Sequence, residues 1–150
     1  MDNDLWFNTE MNISMWTRYI YQLLKGNTDV EVTYKEYANY ISICCRYFTF
    51  SVDKVELIGA DMVEEIFGLS GNVQMSVQMF NNCYEEGMKQ LIDLLRLVLE
   101  EREEDFLLLE NGDVVVLKRE GNQLYTEISR EYSRQYFLGV LGRPVKYLSE

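Results

Sequence analysis

The clearest pattern along the chain is a helical repeat of apolar residues over positions 83–104. At about 100° per residue, the apolar side chains cover one arc of roughly 120° on a helical wheel. They are Tyr84, Met88, Leu91, Ile92, Leu95, Val98 and Leu99. The opposite arc carries Glu86, Asp93, Glu100 and Glu104, which we call the acidic stripe. The pattern predicts a long central amphipathic helix, begun by a capping signature at Asn82 and Glu85.

Two further helices are predicted in the first third of the chain. Apolar residues recur at helical spacing over positions 10–25, where Thr9 can cap the start and Gly26 can end the helix in a left-handed conformation. A Thr-Tyr-Lys-Glu capping box at positions 33–36 predicts the second helix. The expected inner face of that second helix consists of Tyr37, Tyr40, Ile41, Cys44 and Phe48.

Alternation of apolar and polar residues predicts strands in the middle of the chain. Aromatic and β-branched residues alternate with polar ones over residues 48–52, and a shorter strand is expected at 55–58. Residues 61–67 predict a short helix, which the glycines of the turn at 68–71 end. Residues 73–79 alternate at every position and predict a strand. The competing interpretation, a helix continuing into the next one, would place two methionines on the most acidic side of that helix.

The last third of the chain predicts a three-stranded meander and a final helix. The strands are expected at residues 106–110, 113–118 and 123–128, and the Asn-Gly pair at 111–112 is a strong signal for a two-residue hairpin turn. Ser129 can cap the final helix. The apolar face and the end of that helix are marked by Tyr132, Tyr136, Phe137, Val140, Leu141, Gly142 and Pro144.

Together these elements predict an α+β fold: N-terminal helices, a long central amphipathic helix, and an antiparallel sheet with a C-terminal three-stranded meander and final helix. No internal repeat, low-complexity segment or proline-rich linker divides the sequence. We therefore expect a single domain over residues 1–150, a length sufficient to bury a core without disulfides or metals.

The composition excludes the commonest catalytic groups. The chain contains no histidine, so it lacks the imidazole of Ser/His and Cys/His pairs, of many metal sites and of many general bases. Cys44, Cys45 and Cys83 lack the spacing of a zinc site or a redox motif, and we expect reduced thiols. We therefore predict no catalytic residue, no metal and no cofactor.

Carboxylate clusters are the remaining candidates for chemistry. The acidic run at residues 100–105 lacks the spacing of a calcium loop and points in several directions around a helix. The adjacent pairs Glu64–Glu65 and Glu85–Glu86 could supply a catalytic carboxylate dyad. Because sequence neighbours face different directions on a helix, surface charge is the better interpretation of both pairs.

The net charge of −11 limits the classes of partner. Residues 61–105 alone hold eleven acidic and three basic side chains. Such a field opposes contact with nucleic acid or an anionic membrane and attracts a basic protein. The same charge could serve solubility alone. Asp2 and Asp4 stand where a secretion signal has basic residues, and no apolar run approaches the ~18 residues of a membrane span, so we expect a cytoplasmic protein.

Tyrosines give a second candidate contact surface. Eleven occur in the chain, and six of these lie in the first third: Tyr19, Tyr21, Tyr34, Tyr37, Tyr40 and Tyr47. Tyrosine presents a large rigid surface at low entropic cost, which favours protein interfaces. The sequence does not decide between this surface and the acidic stripe.

In size and composition the chain resembles small acidic inhibitors made by bacteria and their phages, among them toxin-neutralising immunity proteins. The resemblance implies an acidic protein-binding module that neutralises a basic partner such as a nuclease toxin domain. Its carboxylates would cover the groove where substrate phosphates would lie. The expected partner-binding residues are those of the acidic stripe, Glu86, Asp93, Glu100 and Glu104. The alternatives are a carboxylate- and metal-dependent enzyme and an acidic adaptor or subunit without an inhibitory role.

Overall fold

A computed structural model describes residues 2–27, 31–127 and 132–149, which form four helices and nine strands. The helices are α1 (Ile13–Asn27), α2 (Ala60–Phe67), α3 (Tyr84–Glu101) and α4 (Arg134–Leu141). The strands are β1 (Asp2–Asn8), β2 (Thr33–Glu36), β3 (Tyr40–Cys44), β4 (Phe48–Asp53), β5 (Val73–Met79), β6 (Asp105–Glu110), β7 (Val114–Glu120), β8 (Gln123–Thr126) and β9 (Val145–Tyr147). This content confirms the predicted α+β class.

All the described strands belong to one sheet, in the order β2-β3-β4-β5-β1-β6-β7-β8-β9. Neighbouring strands are antiparallel except β8 and β9, so the sheet is mixed at that edge. The first strand lies in the centre, with Leu5 opposite Met75 of β5 and Leu108 of β6. The N-terminal strand thus joins the two halves of the sheet.

Helices cover both faces of the sheet. Leu5 and Phe7 of β1 belong to the main core, which also contains the buried residues of α1 and α3. Between them Trp6 points to the opposite face, where it packs in a smaller core with Val63 of α2. Because side chains alternate along a strand, α2 lies on the opposite side of the sheet from α1 and α3.

The predicted central helix is confirmed as α3, and its apolar arc faces the main core. Both ends of this helix differ from the prediction. Cys83 occupies the N-cap position, preceded by Asn82 with a positive φ of 64°, and the Cys83 side chain makes no capping hydrogen bond. The helix ends at Glu101 because Arg102 has an extended backbone, so Glu104 lies beyond it.

The first predicted helix exists, but it begins later and ends later than expected. Asn12, rather than Thr9, provides the cap, since its side-chain oxygen accepts the Met15 N–H at 2.8 Å. Gly26 lies within α1, which continues to Asn27, so the predicted left-handed end at this glycine is wrong.

The second predicted helix is wrong: residues 33–36 and 40–44 form strands β2 and β3. Ile41 and Ile43 are buried at alternate positions and pair with Val52 and Phe50 of β4. This non-local pairing outweighs the local capping signature at Thr33, because strand formation depends on packing against neighbours more than on intrinsic preference.

The predicted strand at residues 55–58 is also wrong. The Asp53 carboxylate accepts the backbone N–H groups of Val55 and Glu56 at 2.8 and 2.9 Å, which folds the chain into a turn. A side chain that bonds nearby backbone in this way competes with strand pairing. The apolar residues of this segment therefore remain exposed.

The remaining predictions are largely confirmed. Strands form at residues 48–53 and 73–79, a short helix at 60–67, and the three-stranded meander as β6, β7 and β8. The hairpin residues Asn111 and Gly112 have positive φ values of 54° and 78°. The final helix is capped by Ser133, whose oxygen accepts the Tyr136 N–H at 3.1 Å. The predicted cap at Ser129 and the strand end at residue 128 lie outside the described residues.

Candidate partner-binding surfaces

Three residues of the acidic stripe share one exposed side of α3. Glu86, Asp93 and Glu100 are spaced seven residues apart, close to two helical turns, and all three are exposed. On the inner side of the helix, Leu91 and Leu95 are fully buried. The amphipathic pattern that forms the helix therefore also positions these carboxylates toward solvent.

Arg96 binds two of these carboxylates, and its single positive charge offsets one of their two negative charges. Its guanidinium binds Asp93 and Glu100, each at 2.9 Å. The hydrogen bond to Asp93 is the largest cause of the raised pKa of Arg96. Because exposed ion pairs of this kind are worth about 0–1 kcal/mol, a cationic partner could compete for either carboxylate. The stripe nevertheless carries less free negative charge than the sequence pattern implies.

Glu104 does not belong to the stripe, which corrects the predicted set of four. It is half-buried beside Arg102, whose guanidinium donates to it at 2.6 Å, and it accepts the Thr9 hydroxyl at 3.0 Å. The hydrogen bond from Arg102 lowers the pKa of the Glu104 carboxyl, in opposition to desolvation. Glu104 thus ties the segment after α3 to the connection between β1 and α1.

Glu86 keeps its charge available. Among the described residues it makes no ion pair, and it lines a groove of about 530 Å³ between α3 and α4. The groove is also lined by Tyr47, Lys89, Asp93, Tyr136 and Val140, so it holds one basic side chain beside the two carboxylates. A carboxylate beside aromatic rings suits a basic side chain with an apolar stem.

A second candidate surface lies on the opposite side of the molecule, before and along α2. Five large apolar side chains within twelve residues are exposed there, and we call them the α2 patch. They are Ile58 (74% exposed), Val55 (68%), Ile66 (62%), Met62 (49%) and Leu57 (37%). The sequence pattern predicts the short helix but not this exposed surface.

The helix α2 carries apolar residues both on its buried side and on its exposed side. Val63 is buried against the smaller core, with Ala60 and Phe67 partly buried beside it. Two apolar pairs in this helix have the same spacing of four residues, Val63 with Phe67 and Met62 with Ile66. In this structure Val63 is buried and Phe67 is partly buried, whereas Met62 and Ile66 are exposed. This duplication was the signal in the sequence that could have revealed the patch.

Both ends of the segment that carries the α2 patch are fixed. Before it, Lys54 binds Glu36 of β2 at 2.8 Å and donates to the Tyr37 carbonyl at 3.1 Å. After it, the Lys118 ammonium donates to the Phe67 carbonyl at 2.7 Å, and Gly68 ends the helix with φ 74°. These contacts hold the exposed side chains on a preformed surface.

Acid is expected to weaken the anchor at the start of this segment. Hydrogen bonds from Lys54, Tyr34 and Ser14 lower the pKa of Glu36 from its ordinary 4.5 to about 2. Because the folded-state pKa is the lower one, the stabilisation is present above about pH 4.5 and is lost as the pH falls toward 2. Glu36→Gln should therefore flatten the pH dependence of the urea midpoint between pH 5 and 2.

Glu56→Gln is the matched control for this measurement, because Glu56 is exposed and makes no side-chain ion pair among the described residues. Its pH dependence should follow that of the unmutated chain. An unchanged acid response in the Glu36→Gln variant would contradict the proposed anchor.

The tyrosine-rich first third contributes mainly to packing. Tyr19, Tyr21, Tyr34 and Tyr47 pack against the main core. Burial, with the hydrogen bond to Glu36, raises the pKa of Tyr34 to about 12. Tyr37 and Tyr40 differ, since they are 45% and 43% exposed and their rings stack at 4.6 Å. This pair near the β2 edge is the exposed remainder of the predicted tyrosine surface.

The described residues contain no group of three or more His, Cys, Asp or Glu side chains that could hold a metal ion. The three cysteines are free: Cys44 is exposed, Cys83 is half-buried and Cys45 is buried, which raises the pKa of its thiol to about 12. In the part of the chain that is described, no helix is both long enough and apolar enough to cross a membrane.

The described residues form an α+β protein with one mixed sheet. Helix α3, with its exposed acidic residues, packs on one face of this sheet, and α2, with its exposed apolar and acidic residues, packs on the other. A family model described as SitI3-like matches residues 22–134, a span that contains both surfaces. The chain belongs to this SitI3-like family. No curated protein matches it, and no solved structure does.

Proposed function

We propose that this chain is an immunity-type protein that binds and neutralises a basic toxin domain. Membership of the SitI3-like family carries the proposal, since the family name indicates toxin immunity and the match spans most of the chain. The net charge of −11 supports a basic partner. Binding alone would be the activity, with no catalytic step and no cofactor.

Neutralisation would work by occlusion. A nuclease-type toxin binds phosphates in a basic groove, and a protein that covers this groove with carboxylates excludes the substrate. The three free thiols fit action in the reducing cytoplasm. The acidic surface would attract such a toxin while repelling nucleic acid and anionic membranes.

Co-expression with the product of a neighbouring gene tests the proposal. The gene directly upstream in the native genome would be expressed in a bacterial host with and without this chain. We expect growth arrest when the upstream product is expressed alone and recovery when this chain is present. Continued arrest, despite soluble expression of both proteins, would refute immunity toward that product.

We further propose that the acidic stripe accelerates association with the partner. Exchanging Glu86 and Asp93 together for lysine should lower the association rate constant by about tenfold, because exposed charges act through the long-range field. The dissociation rate and the melting temperature should change little. Raising salt from about 50 mM to about 500 mM should mimic the exchange, since the Debye length falls from roughly 14 Å to 4 Å.

Lys89→Glu is the matched control, because Lys89 is exposed on the same helix and its reversal changes charge in the opposite sense. This variant should associate faster than the unmutated chain in stopped-flow measurements at low salt. If the association rate constant is unchanged by the three charge exchanges and by salt, solubility remains as the role of the stripe.

A further inference from the structure

The α2 patch is an exposed apolar surface that the fold holds in place without covering. Ile58, Met62 and Ile66 each expose about half of their surface or more. Val63, on the inner side of the same helix, is buried against Trp6 and Leu69. Exposed apolar clusters on a fixed backbone mark interaction sites more often than isolated apolar residues do.

Carboxylates interleave with the exposed apolar residues of the α2 patch. The segment from residue 53 to 67 contains five acidic side chains and a single basic one, Lys54, which is bound to Glu36. Among the described residues, none forms an ion pair with Glu56, Asp61, Glu64 or Glu65. On α3, by contrast, Arg96 already occupies Asp93 and Glu100. The α2 patch therefore combines apolar anchors with free negative charge at its rim.

This combination selects one class of occupant. A second copy of the chain, bound through the same patch, would place these carboxylates against each other, because a two-fold interface pairs a surface with itself. An anionic membrane would be repelled in the same way. A protein with apolar side chains surrounded by Lys and Arg would complement this surface. Its apolar side chains would contact those of the α2 patch, and its basic side chains would pair with the surrounding carboxylates.

We infer that the α2 patch is the docking surface for a basic protein whose contact surface has an apolar centre. This inference rests on the proposed function, under which that protein is the toxin domain. Met62 and Ile66 would be the central anchors, since they lie four residues apart on the exposed side of α2. Glu64 and Glu65 flank them on the same helix. The acidic stripe lies on the other sheet face, so it would add to the overall negative field of the chain and would not contact a partner bound at this patch.

The test compares two double variants in a kinetic binding assay with the toxin domain identified by co-expression. Met62→Ser with Ile66→Ser should weaken binding by about tenfold or more, mainly through faster dissociation, because truncated anchor residues typically lose this much. Met15→Ser with Leu138→Ser is the matched control, since both side chains are more than half exposed elsewhere on the molecule. The control should bind like the unmutated chain.

Folding is measured on the same variants. Because Met62 and Ile66 are exposed, their replacement should leave the urea midpoint unchanged, whereas Val63→Ser should lower it as a buried position does. Unchanged dissociation in the folded Met62/Ile66 variant would overturn the assignment. Faster dissociation caused instead by the Glu86/Asp93 lysine exchange would overturn it too.

A synthetic probe separates failure of this surface from failure of the proposed function. The probe is a helical peptide with leucines at positions i, i+3, i+4 and i+7 and lysines elsewhere, and its control carries glutamates in place of the lysines. NMR shifts caused by the lysine peptide should concentrate in residues 55–66 and vanish in the Met62/Ile66 variant. Shifts centred on α3, or equal binding of the glutamate peptide, would contradict the assignment of the α2 patch as the docking surface. This outcome does not depend on whether co-expression confers immunity.

Discussion

Replacing Leu95 with alanine is expected to lower the free energy of unfolding by about 2–5 kcal/mol. Leu95 is fully buried in the main core between α3 and the sheet. Removing its terminal carbons takes away burial energy and leaves a cavity that rigid neighbours fill only in part. Urea unfolding followed by circular dichroism measures the loss.

Asp93→Asn provides the comparison from the outer face of the same helix. Asp93 is exposed and bound to Arg96, so its loss should cost no more than about 1 kcal/mol. Similar destabilisation by both replacements would show that the inner and outer faces of α3 are assigned wrongly.

Trp6→Ala is expected to cost about 3–5 kcal/mol and to loosen α2 selectively. Trp6 is the largest member of the smaller core, where it contacts the side of α2 that carries Val63. Without the indole ring, α2 loses its main apolar support on this face of the sheet. Hydrogen exchange should therefore quicken in the amides of α2 more than in those of α3.

Gly71 supplies a double-mutant control for this contact. A Cβ at position 71 would lie 2.8 Å from the Trp6 ring, so Gly71→Ala alone should destabilise by about 1–3 kcal/mol. In the Trp6→Ala background the same change should cost much less, because the ring it would collide with is gone. If the losses in the free energy of unfolding are strictly additive, positions 6 and 71 are not in steric contact.

The elements that the sequence predicted correctly are those whose pattern is long or chemically specific. Seven apolar residues on one arc identify the buried face of α3, and strict alternation over seven residues identifies β5. The Asn111–Gly112 pair identifies a hairpin because both residues tolerate positive φ. In these cases the local preference agrees with the tertiary contacts.

The elements that were missed depend on distant partners. The β2–β3 segment contains a good helix-capping box, yet Ile41 and Ile43 find their places only opposite β4. β1 and β9 were not predicted, since each is defined by neighbours from far along the chain: β5 and β6 flank β1, and β9 lies parallel to β8. β9 has only three residues, too few to show a pattern, and β1 carries three consecutive apolar residues, Leu5, Trp6 and Phe7, instead of an alternation.

The candidate surfaces divide in the same way. The sequence by itself determined the fold class, the acidity of the outer side of α3 and the seven-residue spacing of Glu86, Asp93 and Glu100. Only the tertiary structure decided that Arg96 neutralises part of that surface and that Glu104 turns inward to Arg102. Charge is a property of composition, whereas its pairing depends on which side chains the fold brings together.

The α2 patch shows this division most clearly. The sequence determined that residues 61–67 form a helix with two apolar pairs, Met62 with Ile66 and Val63 with Phe67. Their equal spacing gave no reason to prefer either pair for the core. The tertiary structure decided, because Trp6 on the central strand meets Val63 and turns the other pair toward solvent. A helix has one buried side, and the sheet it packs against selects which residues occupy it.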